Sequence, residues 1–389
     1  MSAAVATMKP DGAGLDALLA AVKAGANQDL AHAETLPPRS YISPELFALE
    51  EQRIFRADWI SVGHVAQIAH VGDYFTRDVL GELLVIVRAE RGVRVMSRVC
   101  LHRWAPVATG SGNTKMFSCP FHRWGYDLDG RLRSAPLMDG AAGFDPANCR
   151  LTEFRSEIVF GTIYVNFDGQ ADSIAERLED AIPIFGRYKM EELVIAYGFE
   201  RVCNFNWKIA VETFMECYHH IGAHAKTAEP TSPGRLSFGI DGHKGWTACY
   251  SPLRPDLPTS EKTGSGLPVF EGLSDEVIRN GGLYVIYPVN LITTNADRIH
   301  WTTVLPVAVD KCIWIRLVLV RPEAQALPDY QEIVARVQAK GMAIFEEDIA
   351  VNDMQQLGAA TSSAGVGRLS HLERPVWQFA NYVRGMLQD

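Results

Sequence analysis

Hydrophobic and polar positions change rhythm several times along the chain. Leu15, Leu18, Leu19 and Val22 recur at intervals of three and four, which predicts one apolar helix face, and Pro37-Pro38 breaks it. Ser43-Pro44, a capping residue followed by proline in the first turn, opens a second predicted helix through Leu46, Leu49 and Ile54. From Trp59 to Phe167 the pattern shortens to apolar and alternating runs at 83–87, 93–99 and 162–167, divided by Gly and Asp, so a small all-β unit is expected there. Helical spacing returns over 174–185. Long strands are then predicted at 194–202, 283–294, 300–305 and 312–320, with Asn295-Ala296-Asp297 as a hairpin turn. The Pro-, Ser- and Gly-rich stretch 230–272 reads as long loops over an antiparallel sheet, of the kind that often walls a substrate site. Helices follow at 330–356 and 374–387. The expected organisation is a helical leader over 1–44, an all-β domain over 45–168 and an α+β domain over 169–389.

Composition narrows the classes further. A chain of 389 residues suits two or three domains. A net charge of −9, from 37 basic and 46 acidic residues, disfavours nucleic acid or an anionic membrane as partner. No apolar run approaches the ~18 residues of a membrane span, and the N-terminus lacks the pattern of a secretory signal. Seven cysteines, odd in number and widely spaced, read as reduced thiols of a cytoplasmic protein.

Two of those cysteines carry chemistry. Cys100-Leu101-His102 and, across a sixteen-residue spacer, Cys119-Pro120-Phe121-His122 each supply one thiolate and one imidazole. Two such arms can hold a two-iron, two-sulfide cluster, with both cysteines on one iron and both histidines on the other, and the imidazoles raise its reduction potential. Zinc also takes two Cys and two His, but finger-type sites pair Cys with Cys and His with His. The alternating order here favours the diiron cluster.

A second constellation lies at 206–224, Asn-Trp-Lys-Ile-Ala-Val-Glu-Thr-Phe-Met-Glu-Cys-Tyr-His-His-Ile-Gly-Ala-His, where helical spacing ends in three histidines. Two imidazoles and one carboxylate on one face of an iron leave open positions for O₂ chemistry. On a regular helix His220 and His224 share a face better than His219 and His224, and Gly222 can change that by ending the helix early. Geometry therefore leaves the pair open. The acidic segment 345–353, containing Glu346, Glu347, Asp348 and Asp353, is the candidate source of the carboxylate.

Both motifs, in this order and separation, resemble those of Rieske non-haem iron oxygenase large subunits. The family's cluster arms read C-x-H, a spacer, then C-P-x-H before an aromatic strand. Its catalytic segment reads N-W-K-x-x-x-E-x-x-x-[DE]-x-Y-H-x-x-x-x-H, and a late helix carries E-D-[IV] with Q and G downstream. The resemblance covers nearly the whole chain. It implies a small all-β Rieske domain beside a helix-grip catalytic domain, with Cys100, His102, Cys119 and His122 on a [2Fe-2S] cluster. It further implies His219, His224 and Asp348 on a mononuclear Fe(II), with Glu347 and Asp353 as alternatives to Asp348, and Glu216 as the acid that bridges the two centres. His220 is then a neighbour in the wall. The family forms rings of three in which one subunit's cluster faces the next subunit's iron. Electrons from NAD(P)H arrive through a separate reductase, with or without a ferredoxin, since no G-x-G-x-x-G follows a strand here. Two departures stand out: Trp104 and Arg123 occupy positions where the family usually has glycine or another small residue.

These implications point to O₂-dependent hydroxylation or dealkylation of a small organic molecule, aromatic or alicyclic as first choice and a quaternary amine as second. Phe214, Met215, Trp246, Tyr250, Tyr284 and Tyr287 are the candidate pocket walls. From another class, an electron carrier like a Rieske ferredoxin would use the cluster alone and leave the histidine segment without a purpose.

Overall fold

The computed structural model describes residues 12–26 and 28–388. The first eleven residues of the leader lie outside that range. The helix Gly12–Ala24 buries Leu18 and Val22 in the main core, as their spacing predicts. The buried Arg384 of the C-terminal helix Arg374–Met386 donates its Nε–H to the Val22 carbonyl at 3.0 Å. The second helix, Pro44–Glu50, starts where Ser43 Oγ accepts the Leu46 N–H at 3.2 Å, and continues as a wider π turn to Phe55.

The β unit consists of three antiparallel sheets. Ile60–His64, Thr162–Asn166 and Arg155–Val159 form one, in which Thr162–Asn166 is central. Gly92–Ser97, Glu82–Ala89, Asp73–Val79 and Ser111–Asn113 form the second. The short strands Phe117–Ser118, Gly125–Tyr126 and Leu132–Ser134 form the third, which carries the second Cys/His arm. A separate apolar cluster of Val85, Val87, Met96, Phe117, Trp124 and Tyr126 backs both arms.

The larger unit is built on a seven-stranded antiparallel sheet. Its order runs Val194–Cys203, Lys311–Val320, Ile299–Ala308, Asn290–Thr294, Asn280–Ile286, Trp246–Pro252, Phe238–Gly239. The thirty-residue helix Tyr330–Ala359, the helix Trp207–Phe214 and the C-terminal helix pack against it. The mixed helix-and-sheet class expected from the sequence is what the chain adopts. The two units touch directly: Ser61 Oγ donates to Thr303 Oγ1 at 2.7 Å, and the Trp301 indole donates to Thr162 Oγ1 at 2.8 Å.

Four expectations need correction. The run 283–294 is two strands, because Pro288 has no N–H to give a ladder and falls in the turn between them. The segment 174–185 is three short helical turns, interrupted where Pro183 starts a new one. The stretch 230–272 is not all loop, since Trp246–Pro252 is an interior strand of the sheet. The helix that opens at Trp207 ends at Phe214, before any of the three histidines.

Candidate metal centres and substrate cavity

The two Cys/His arms are one backbone motif used twice. The Cys100 N–H bonds the Ala105 carbonyl at 3.0 Å, and the Trp104 N–H returns to the Cys100 carbonyl at 3.0 Å. In the second arm the Cys119 N–H bonds Trp124 at 2.8 Å and the Arg123 N–H returns to Cys119 at 3.0 Å. Closing this turn puts the fourth residue after each cysteine in the left-handed region, Trp104 at φ 62° and Arg123 at φ 60°. Glycine holds that conformation freely, whereas other residues pay about 1–2 kcal/mol. That accounts for the small residue usual at these places. Trp104 and Arg123 both extend into solvent from these turns.

The side chains at the arm tips suit a cluster. Cys100 and Cys119 are buried free thiols. The His102 and His122 rings lie 4.6 Å apart, and Trp124 stacks on His102 at 4.9 Å and 7°. His102 Nδ1 is buried without any hydrogen-bond partner, an unsatisfied donor site that a metal ion would complete. Tyr126, which sequence reasoning placed only on an aromatic strand, lies against the thiol. Its hydroxyl is 3.3 Å from Cys100 Sγ and accepts the Leu101 N–H at 3.1 Å.

The N-W-K start of the second motif is structural. Asn206 caps the helix by accepting the Lys208 N–H at 2.9 Å. The Trp207 indole and the Lys208 ammonium both donate to Glu50, at 2.9 and 2.5 Å, with Lys208 and Glu50 fully buried. Glu212 receives the Tyr41 hydroxyl at 2.9 Å. These bonds lock the helix to the segment ahead of the β unit. After Phe214 the chain turns, and the Glu216 carboxylate accepts the His219 backbone N–H at 3.1 Å while a short 3₁₀ turn runs from Tyr218 to Ile221. This break decides the histidine pair that helix geometry left open.

The structure brings His219, His224 and Asp348 together, with one ligand atom from each within 4.8 Å of the others. Asp348 Oδ1 is 2.9 Å from His224 Nε2 and 3.6 Å from His219 Nε2. The far nitrogen of each ring is held by another carboxylate: His219 Nδ1 by Glu216 at 2.6 Å and His224 Nδ1 by Glu347 at 2.7 Å. Such partners fix ring orientation and tautomer at metal sites. Glu347 thus stands behind His224 rather than among the converging atoms, and also receives the Thr227 hydroxyl at 2.6 Å. Asp353 lies exposed outside the group. His220 turns away, its Nδ1 2.9 Å from the Ser232 carbonyl.

Electrostatics agree with a cation site. Burial opposes the His219 imidazolium, but Asp348 and Glu216 outweigh it and raise His219 to about 10. Burial likewise opposes the Asp348 carboxylate, and the two imidazoles reverse that and lower it to about 2. A divalent cation binding these atoms must displace the imidazole protons. Two imidazoles, one carboxylate and open space in front is the donor set of non-haem Fe(II).

That open space is a cavity of about 530 Å³, within the ordinary range for small-molecule sites. Of the expected aromatic walls only Phe214 lines it. Met215, Trp246, Tyr284 and Tyr287 are core residues. Strand alternation explains most of this miss: Ser251 faces the cavity, so Trp246 and Tyr250 face the other side, and Leu283 faces it, so Tyr284 does not. The wall holds basic residues instead, Lys262, Arg298, Arg316, Arg336 and Lys340, which come from separate segments and gave no sequence signal.

Comparison with known proteins agrees with this architecture. The Rieske [2Fe-2S] domain family matches residues 58–149, and the ring hydroxylating alpha subunit (catalytic domain) family matches residues 190–389. The carnitine monooxygenase oxygenase subunit of Escherichia coli (strain K12) is 32% identical over 229 residues, 57% of this chain and 60% of that protein. The chain thus spans about 60% of the length of that curated relative. The 2-aminobenzenesulfonate 2,3-dioxygenase subunit alpha of an Alcaligenes species is 36% identical over 201 residues, 49% of this chain and 50% of that one. The same fold occurs in a quaternary ammonium Rieske monooxygenase crystallised with an inhibitor (TM-score 0.79, 24% identity, 92% of this chain and 97% of that one). It occurs also in a naphthalene 1,2-dioxygenase from a Rhodococcus species (TM-score 0.78, 20% identity, 96% and 98%). With its two domain matches covering the Cys/His arms and the histidine–carboxylate cavity, the chain belongs to the Rieske-type ring-hydroxylating alpha-subunit family.

Proposed function

We propose that this protein is the oxygenase component of a Rieske-type enzyme, an oxidoreductase that uses O₂ and externally supplied electrons to hydroxylate or oxidatively dealkylate a small organic substrate. The convergence of His219, His224 and Asp348 at one cavity, on a chain that also carries the paired Cys/His arms, is the observation behind this reading. Cys100, His102, Cys119 and His122 would hold a [2Fe-2S] cluster, and His219, His224 and Asp348 a mononuclear ferrous ion. Bound there, these groups would supply one-electron transfer and O₂ activation respectively.

The chain's own residues prepare that chemistry. Glu216 orients the His219 ring through Nδ1, and Glu347, steadied by Thr227, does the same for His224. The cavity encloses the substrate beside these atoms. Electrons would come from NAD(P)H through a separate reductase, with or without a ferredoxin. We further infer a ring of three subunits in which Glu216 links His219 to the neighbouring subunit's cluster histidine. Apolar side chains exposed at both ends support this contact: Trp104 at 76% and Phe121 at 52% beside the arms, and Tyr218 at 47% and Ile221 at 68% beside His219.

An aromatic or alicyclic substrate is the first reading, supported by the aminobenzenesulfonate dioxygenase relative. The carnitine monooxygenase relatives favour a quaternary amine as the second. The test is anaerobic reconstitution followed by iron counting, paramagnetic resonance after dithionite, and mass detection of oxygenated products with a surrogate reductase. An oxygenase holds about three irons per chain, a ferredoxin-like carrier about two. His219→Ala should keep the cluster signal and lose turnover; turnover that survives it removes the iron assignment.

A further inference from the structure

The cavity wall is cationic to a degree that iron binding does not need. Lys262, on the short helix Ser260–Thr263, donates from Nζ to Ser232 Oγ at 3.0 Å, a neutral partner. Arg316, on the strand Lys311–Val320, donates from Nε to Thr302 Oγ1 at 3.1 Å, also neutral. The Arg316 guanidinium is fixed among aromatic faces, 5.2 Å from the Trp314 ring, 5.6 Å from Phe345 and 5.9 Å from Phe199. Among the described residues neither cation has a carboxylate within salt-bridge distance. Arg298 does, in the fully buried Asp297 at 2.6 Å, and its Nε also meets His300 Nε2 at 3.3 Å.

The acids in the lining do not offset this charge. Glu216 is committed to His219, and Asp348 to both histidines. Asp348 acts on Arg316 through space only. Glu261 is exposed. The basic groups crowd one another. Burial, with Lys340 and Arg298 adding repulsion and Cys217 opposing it, lowers Lys262 to about 8. Burial and the charges of Arg316 and Arg298 hold His300 well below its ordinary range.

Cations withdrawn from water without a counter-charge are costly, and the cost is recovered when an anion completes the site. We propose that the cavity is built for an organic anion whose carboxylate or sulfonate is seated between Lys262 and Arg316. The proposal rests on the oxygenase reading and names the substrate class of that same cavity. A planar guanidinium can hold either oxyanion bidentately while the ammonium adds a point charge. A substrate whose only charge is a quaternary ammonium would meet like charge here. It would also find no aromatic cage, because Phe214 is the one phenyl and no Trp or Tyr lines the cavity among the described residues.

The test is calorimetric binding to the purified full chain, which needs no turnover. The probes are benzoate, cyclohexanecarboxylate and hexanoate, each with its sulfonate and neutral amide counterparts, together with phenyltrimethylammonium. At least one anion should bind about tenfold or more tightly than its amide, and the ammonium should not bind. Comparison of carboxylate with sulfonate decides which oxyanion the site takes. Lys262→Met and Arg316→Gln should each weaken the anion about tenfold or more and leave the amide unchanged, with Arg316→Lys recovering part of the loss. If Arg316→Gln fails to fold, Lys262→Met carries the test, since the Lys262 ammonium bonds the neutral Ser232 hydroxyl. The proposal is overturned if every anion binds no better than its amide, if Lys262→Met leaves anion binding intact, or if the ammonium binds best. Failure here with about three irons per chain leaves the oxygenase reading standing. Anion binding without iron would sink that reading and leave this one.

Discussion

Tyr126→Phe isolates one hydrogen bond at the proposed cluster. The Tyr126 hydroxyl accepts the Leu101 N–H at 3.1 Å, so its own proton is free to point at Cys100 Sγ, 3.3 Å away. Burial and the neighbouring thiol raise Tyr126 well above its ordinary range, so the hydroxyl remains a donor at any working pH. The ring is fully buried and phenylalanine keeps its shape, while the Leu101 N–H lies at an exposed residue and can turn to water. On the assignment of Cys100 as a cluster ligand, reduction adds negative charge that this donor stabilises. A hydrogen bond to a charged group is worth about 1–1.5 kcal/mol more than one to a neutral group. At about 59 mV per 1.4 kcal/mol for one electron, the variant's potential should fall by about 40–60 mV. A dithionite titration followed by paramagnetic resonance reads the shift directly. A variant that holds its cluster at an unchanged or higher potential refutes the argument.

Further outcomes follow from the same geometry. Glu347→Ala removes the partner of His224 Nδ1 and should weaken iron binding by about ten- to a hundredfold, measured by competition with a chelator. Lys208→Met leaves the fully buried Glu50 carboxylate without its ammonium and should destabilise the protein by about 3–5 kcal/mol in urea unfolding. His64 is held neutral by burial, at about 3 against an ordinary 6.5. Its folded value lies below its unfolded one, so the unfolded chain binds more protons between them. The stability it contributes is present above about pH 6.5 and is lost as pH falls, by about 2 kcal/mol at pH 5. His64→Asn, which keeps an acceptor for the Ala66 N–H, should flatten that part of the urea midpoint against pH.

What could be read from the chain follows interaction range. The Cys/His arms were legible because each is a turn closed within six residues, where ligand type and spacing suffice. The helices at 44 and 330 were legible because each buries residues at helical spacing, Leu46 and Glu50 in the first and Phe345, Ile349 and Asn352 in the second, and the strand at 312 because it is an apolar run buried along most of its length. The strand at 246 escaped because its alternation sits among Gly, Pro and Ser, and only its neighbours in the sheet make it one. Helix spacing alone left the histidine pair open and the family resemblance implied His219 and His224; a regular helix does not bring those two together, whereas here the Glu216 carboxylate takes the His219 N–H and starts a new turn.

The sequence by itself determined the chemical inventory: thiolates and imidazoles in two short arms, histidines after a capped helix, and acids on a late helix. Spacing left open which acid meets them, the family resemblance implied Asp348, and the tertiary structure brings Asp348 to the two histidines. Asp348 reaches His224 across 124 residues of chain, because the long helix packs beside the shorter one. It also decided the character of the cavity. Strand parity turned the tyrosines and tryptophans into the core and left Lys262, Arg298 and Arg316, distant in sequence, around one space. Local spacing fixes what a turn can hold, but a wall assembled from several strands exists only once their register is set.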